Sequence, residues 1–190
     1  MATEAGFSGL SRSRGPRAVG LVQDFLNTTD IESETDLVAT PAALTEWLRG
    51  KGLLGDGARV PRAEHARVLV LRERLRDALE AATHGASTNS AYARLDEIAA
   101  DVPLRVRFGA ATRLEPAQRR AAQAIGPILA TLYDAQGDEA LERLKVCRNE
   151  GCRWAFYDTS RNRSGVWCSM AICGNRQKGQ VYRSRHAADR

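Results

Sequence analysis

Four cysteines constrain this chain more than any other feature. Cys147, Cys152, Cys168 and Cys173 form two C-x4-C pairs with fifteen residues between them, and no thiol lies upstream. Four soft ligands in two close pairs suit one tetrahedral Zn2+ site: each pair closes a tight turn and the intervening segment forms a short hairpin. The spacing within each pair is slightly longer than the commonest one. Two disulfides would satisfy the same count, but they need an oxidising compartment. The opening MATEAGFSGLSRSRG has no apolar stretch of the export-signal type, so the expectation is a cytoplasmic chain with reduced thiols and one structural Zn2+.

The residues around the cysteines agree with a metal module. Trp154, Phe156, Tyr157, Trp167 and Tyr182 crowd into the last 44 positions, as a finger too small to build an ordinary core requires. Charge is concentrated there too. Residues 147 to 190 hold nine Lys or Arg against three Asp or Glu, a formal +6, which leaves the preceding residues at −1. Four thiolates and one Zn2+ add −2, so about +4 remains on a very small module. A polyanion is the natural partner.

Upstream the pattern is helical. Residues 1–17 have little apolar periodicity and are expected to be a flexible leader. Leu21, Val22, Phe25 and Leu26 fall at helical spacing in the segment 19–28, and the polar stretch 29–38 follows as a loop. Thr40-Pro41 is a helix start, a capping hydroxyl followed by proline in the first turn, with Leu44, Trp47 and Leu48 as its buried stripe. Residues 61–84 form the longest periodic segment, with Val68, Leu71, Leu75, Leu79 and Ala82 on one face and Arg72 and Arg76 largely off it. A helix is expected over about 88–100. The period then changes: Leu104 to Phe108 alternates apolar and basic residues, and a return through Leu114 makes a small hairpin. Helix resumes over 116–133, with a kink expected at Gly126-Pro127. The fold class is thus mainly α with a small β-hairpin and a C-terminal four-cysteine zinc finger, treble-clef-like if Cys168 and Cys173 lead into a final helix. The domains are 18–144, helical, and 145–190, the finger with a basic C-terminal helix. No stretch approaches the ~18 apolar residues of a membrane span.

The run Trp167-Cys168-Ser169-Met170-Ala171-Ile172-Cys173-Gly174-Asn175-Arg176, preceded by Cys147, Cys152 and Arg153 to Asp158, resembles the CGNR zinc-finger family of bacterial transcription regulators. Asp24-Phe25-Leu26-Asn27-Thr28 and Ala39-Thr40-Pro41 leading to Trp47-Leu48 resemble the helical N-terminal domain that accompanies this finger. The resemblance implies a one-component bacterial regulator, with an effector or dimerisation domain followed by a DNA-binding finger.

Candidate residues follow. The metal ligands are the four cysteines. Arg161 and Arg163 in the expected hairpin turn, and Arg176, Lys178, Arg183 and Arg185 on the final helix, are candidate nucleic-acid contacts. Arg176 can equally brace the zinc turn, and Asn175 is better read as a local cap. Asp24, Asn27, Thr28, Trp47 and Arg72 are candidates for a small-molecule pocket, although each has an alternative role in capping, ion pairing or core packing. No catalytic constellation is present: none of the three histidines stands in a metal-type repeat, and neither G-x-S-x-G nor a phosphate loop occurs. The chain reads as a non-enzyme with DNA as partner, a small-molecule effector and a homodimer as further expectations. The competing reading is a zinc finger that binds protein, with Trp154, Phe156 and Trp167 partly exposed, or one that binds RNA.

Overall fold

The computed structural model describes residues 13–110, 112–117, 124–136 and 139–187. About half the chain is helical and the strands are three small antiparallel pairs. Helix α1 spans Arg17–Leu26 and buries Val19, Val22, Phe25 and Leu26, the apolar spacing of a single face. The stretch read as a loop after it contains a two-residue pairing, β1 (Thr29–Asp30) with β2 (Thr35–Asp36). Helix α2, Pro41–Gly50, starts as expected: the Thr40 hydroxyl accepts from the Ala43 N–H at 3.1 Å, with proline in the first turn.

Helix α3, Arg62–Thr83, is the axis of the molecule. Its residues Val68 and Leu71 join Phe25, Val38, Leu44, Leu48, Ile125 and Ile128 in one core cluster. One turn further on, Leu75 belongs to a second cluster with Val19, Val22, Leu26, Ala135, Leu144 and Ala155. The last two residues come from the cysteine-bearing end of the chain. Strands β5 (Leu144–Val146) and β6 (Ala155–Tyr157) pair antiparallel, Leu144 opposite Tyr157 and Val146 opposite Ala155, and close that core from below. The sequence suggests instead that β6 enters a hairpin whose turn is 158–165. The strand pairs backwards because Leu144 and Val146 already offer a buried edge on α3.

Helix α4 (Asn89–Ala99), the hairpin β3 (Leu104–Arg107) with β4 (Arg113–Pro116), and α5 (Ile125–Gln136) complete the upstream part. The hairpin is as expected from the alternating sequence. The Gly126-Pro127 pair is not a mid-helix kink, since it lies in the first turn of α5, where a missing N–H costs nothing. Residues 118–123 of the expected helix lie outside the described residues. So do residues 1–12 of the expected leader. Ser13 to Pro16 run beside β6: the Ser13 carbonyl accepts from the Tyr157 N–H at 3.3 Å, and the Gly15 N–H donates to the buried Gln23 side chain at 2.8 Å.

Two arginines that the periodicity places off the buried face are buried. Arg72 donates to both Asp36 carboxylate oxygens, at 2.9 and 2.8 Å, and to the Thr28 hydroxyl. Arg76, only 1% exposed, donates to the carbonyls of Leu26 and Arg153 and to Glu73. A guanidinium is tolerated there because its forked donors meet acceptors from α1 and from the cysteine-bearing segment. Arg76→Met keeps most of the volume but strands two carbonyls. It should lower stability to urea by about 3 kcal/mol, whereas Arg74→Met, at an exposed pair, should change it by under ~0.5 kcal/mol.

Candidate metal centre and nucleic-acid face

The first pair of cysteines sits in a knuckle built by one residue, Asn149. Its carbonyl accepts from the N–H groups of Cys152 (2.8 Å) and Arg153 (2.9 Å), and its side-chain oxygen accepts from Gly151 (3.1 Å). The chain leaves through Arg153 at a positive φ of 46°, and the Cys147 N–H closes on the Trp154 carbonyl at 2.9 Å. The second pair brackets a short turn, Met170–Gly174, which passes straight into α6 (Asn175–Ala187). Gly174 lets the Met170 side chain fold over this turn, since a Cβ would stand 2.8 Å from its sulfur and methyl and make that exposed side chain shift.

These turns bring all four sulfurs within 4.8 Å of one another, and all four residues are buried. Sγ of Cys168 is 3.7 Å from that of Cys152 and 3.7 Å from that of Cys173. A disulfide is about 2 Å long, whereas tetrahedral Zn–S bonds of about 2.3 Å set S–S edges of about 3.8 Å. The spacing therefore fits a metal-type thiolate shell. The electrostatics agree. Hydrogen bonds from Cys152 and then Cys168 hold the Cys147 thiol down at about 2, and the same bond to Cys147 pushes Cys152 up to about 12. Cys168 is pushed up by its bonds to Cys147 and Cys152. One thiolate suppresses ionisation of these two neighbours, so a divalent cation is what allows four. The Asn149 amide, 3.6 Å from the Cys173 sulfur, adds an N–H donor to that charge.

Around the sulfurs pack Phe156, buried, and Trp154, Trp167 and Ile172, partly buried. Of the three aromatics that a protein-docking finger would leave partly exposed, Trp154 and Trp167 are so and Phe156 is not. Beyond β6 the loop 158–165 is stitched by Asp158, which is 3% exposed. Its carboxylate accepts from Lys145 Nζ (2.7 Å) and from the N–H groups of Ser160 and Gly165 (both 2.9 Å). Gly165 is obligatory, since a Cβ would fall 2.7 Å from that carboxylate. Burial alone would raise the Asp158 carboxyl, but these donors together bring it down to about 2.

The candidate nucleic-acid residues fall on this scaffold as two groups. Arg161 and Arg163 lie exposed in the loop, and Arg163 pairs with Glu142 at 2.5 Å. Arg176, Lys178, Arg183 and Arg185 are exposed on α6. At 100° per residue Arg176 and Arg183 share one side of the helix, and Lys178 and Arg185 share the opposite one. The partner nearest Arg176 is Glu32 of the β1–β2 turn, at 2.6 Å, with Cys173 and Cys152 as weaker electrostatic neighbours. Among the described residues no ion pair joins Lys178, Arg183 or Arg185 to a carboxylate.

Each of the five candidate pocket residues has partners of its own. Asp24 bridges Arg14 and Lys51, both at 2.8 Å. Asn27 accepts from the Ala155 N–H and donates to its carbonyl, both at 2.8 Å, so its amide acts as an extra strand on β6. Thr28 receives Arg72. Trp47 packs against Phe25, centroids 5.9 Å apart, with Lys51 Nζ 5.8 Å from its ring. Sequence reasoning missed Asn149, Arg76, Lys145 and Asp158. Only Asn149 carried a local signal, a turn-forming Asn ahead of Gly151 in the knuckle; the rest are long-range.

Replacing Cys168 by Ser should reduce bound metal per chain, read by metal analysis, and full occupancy would contradict a four-thiolate shell. The Asp158 stitch makes a second expectation. Because its carboxyl is depressed, its stabilisation is complete above an unfolded pKa near 4 and is lost only as pH falls toward about 2. Metal leaves a thiolate site at higher pH, by ligand protonation. The stitch is therefore fully present at the pH of metal release, and Asp158→Asn should speed metal loss to a chelator at pH 7 and raise the pH midpoint of acid release.

Residues 143–186 match the family described as "CGNR zinc finger", and residues 20–139 match that described as "putative stress-induced transcription regulator". No curated protein matches this chain. The second match spans more than half of the 190 residues, and the first covers the knuckle, the sulfurs and most of α6. The chain belongs to the family described as "putative stress-induced transcription regulator", here joined to a CGNR zinc finger.

Proposed function

We propose that this protein is a sequence-reading DNA-binding regulator in two parts. Residues 18–144 form a ligand-sensing or dimerising domain, and residues 145–190 form a finger holding one structural Zn2+ through Cys147, Cys152, Cys168 and Cys173. The carrying observation is α6. All of its side chains from Asn175 to His186 are exposed except the half-buried Gly179, and it buries no apolar stripe. A helix polar all round is not kept by packing. Its cations on opposite sides suit a groove, where phosphates flank both edges of an inserted helix. Arg161 and Arg163 extend the same positive field from the loop, and the +6 balance of residues 147–190 supplies the attraction. The family description favours transcription over other polyanion chemistry. Protein docking is the weaker reading, because Phe156 is buried and both finger tryptophans are partly so.

Selection of bound duplex from a random pool, with the zinc-loaded protein, tests this directly: a recurring site supports it, and enrichment of RNA over duplex or of no sequence at all removes it. Two variants sharpen the roles. Lys178→Ala and Arg185→Ala should weaken binding to every sequence alike and lower the salt slope by about one unit per lost phosphate contact. Glu32→Gln should release Arg176 and raise DNA affinity by up to about fivefold at low salt; unchanged affinity would mean that Arg176 does not contact DNA.

A further inference from the structure

Between α3, α4, α5 and the β3–β4 hairpin lies an apolar cavity of about 500 Å3. Its floor is Leu71, Leu75 and Ala78 of α3 with Leu129 and Leu132 of α5. Helix α4 roofs it with Leu95, yet α4 buries none of its eleven residues. An apolar-striped helix that covers a space without sealing its own stripe leaves contact energy unrealised on both walls. The mouth is polar. Tyr92 and Tyr133, 51% and 49% exposed, stand at it with Asp96 and Gln136. Asp96 is the sole charge among the described lining residues, and no cation is among them.

We propose that this cavity is the effector site of the sensing domain and takes an uncharged or singly cationic apolar small molecule. The inference rests on the two-part reading above and moves the sensor site away from Asp24, Asn27, Thr28, Trp47 and Arg72. The volume is that of a small-ligand pocket, and the wall is leucine with a few convergent polar groups at one end. An anionic amphiphile is disfavoured, because its head would meet Asp96 with no lysine or arginine among the described lining residues to neutralise it. Two phenols and an amide at the mouth suit a hydroxyl, a carbonyl or an amine on the ligand. Filling the cavity also reaches the finger. Leu141 lines it two residues before Arg143, whose guanidinium holds the carbonyls of Asp158 and Ser160 at 3.0 Å. Leu75 and Ala78 share α3 with Arg76, Asp77 and Glu80, which hold Arg153.

The test uses the full zinc-loaded protein without DNA, so its outcome is separate from that of the DNA-binding reading. The neutral dye N-phenylnaphthylamine should bind saturably, one per chain, and its sulfonated relative anilinonaphthalene sulfonate should bind at least about fivefold more weakly. Asp96→Lys, at an exposed position, should narrow or reverse that preference. Leu95→Trp should fill the space, abolish dye binding and leave the melting temperature unchanged or higher. Dye binding that is unsaturable, that prefers the sulfonate in the parent protein or that is indifferent to Asp96→Lys would overturn the proposal. So would sedimentation showing a dimer that Asp96→Lys dissociates, since a second copy would then be what covers this face.

Discussion

The direction of α6 depends on the thiolate cluster. That helix buries no apolar side chain from Asn175 to His186, and the turn leading into it, Met170–Gly174, contains Cys173. A metal bound by Cys147, Cys152, Cys168 and Cys173 ties this turn to a knuckle some twenty residues earlier, and the knuckle is anchored in turn on α1 and α3. The sulfur edges of 3.7 Å are therefore more than a local feature. They are the joint through which a packed helical body holds an unpacked basic helix at a defined angle, and rigid presentation is what separates base reading from mere attraction.

The knuckle and the body are not loosely tethered. Asn27 borders β6 as an extra strand, Arg76 reaches from α3 to the Arg153 carbonyl, and the Arg153 side chain returns to Asp77 and Glu80 at 2.8 and 2.7 Å. Ala155 and Leu144 lie within the body's second core cluster. Loss of metal thus disturbs that cluster as well as the finger, whereas the cluster around Phe25, Leu44 and Leu71 contains no residue of the finger and should persist. The half-buried carboxylates and arginines along α3 are thus the polar contacts that join the body to the knuckle.

Much of this was legible from local pattern. Thr40-Pro41, the long stripe of α3, the alternating hairpin and the paired cysteines are short-range signals, and each led to the right element. The misreadings have a common cause in tertiary partners. Arg72 and Arg76 look like solvated faces until Asp36, the Leu26 carbonyl and the Arg153 carbonyl are brought to them. Asn27 gives no sign of strand pairing until β6 lies beside it. The pairing of β6 with β5 could not be seen because three-residue strands have almost no period, and what selects the partner is the buried edge on α3. The 500 Å3 cavity has no sequence signature, being made of ordinary core leucines on several elements.

The central claim is that metal at the four thiols makes α6 competent to bind DNA. The most direct measurement is affinity for a fixed duplex across a salt series, made on the zinc-loaded protein and again after removal of the ion by a chelator. The account predicts a steep loss with salt for the loaded protein, with a log–log slope of about 0.9 for each of several phosphate contacts. Removing the ion should cut affinity at least about tenfold and flatten the slope, and restoring zinc should recover both. Equal affinity and equal slope with and without the ion would contradict it.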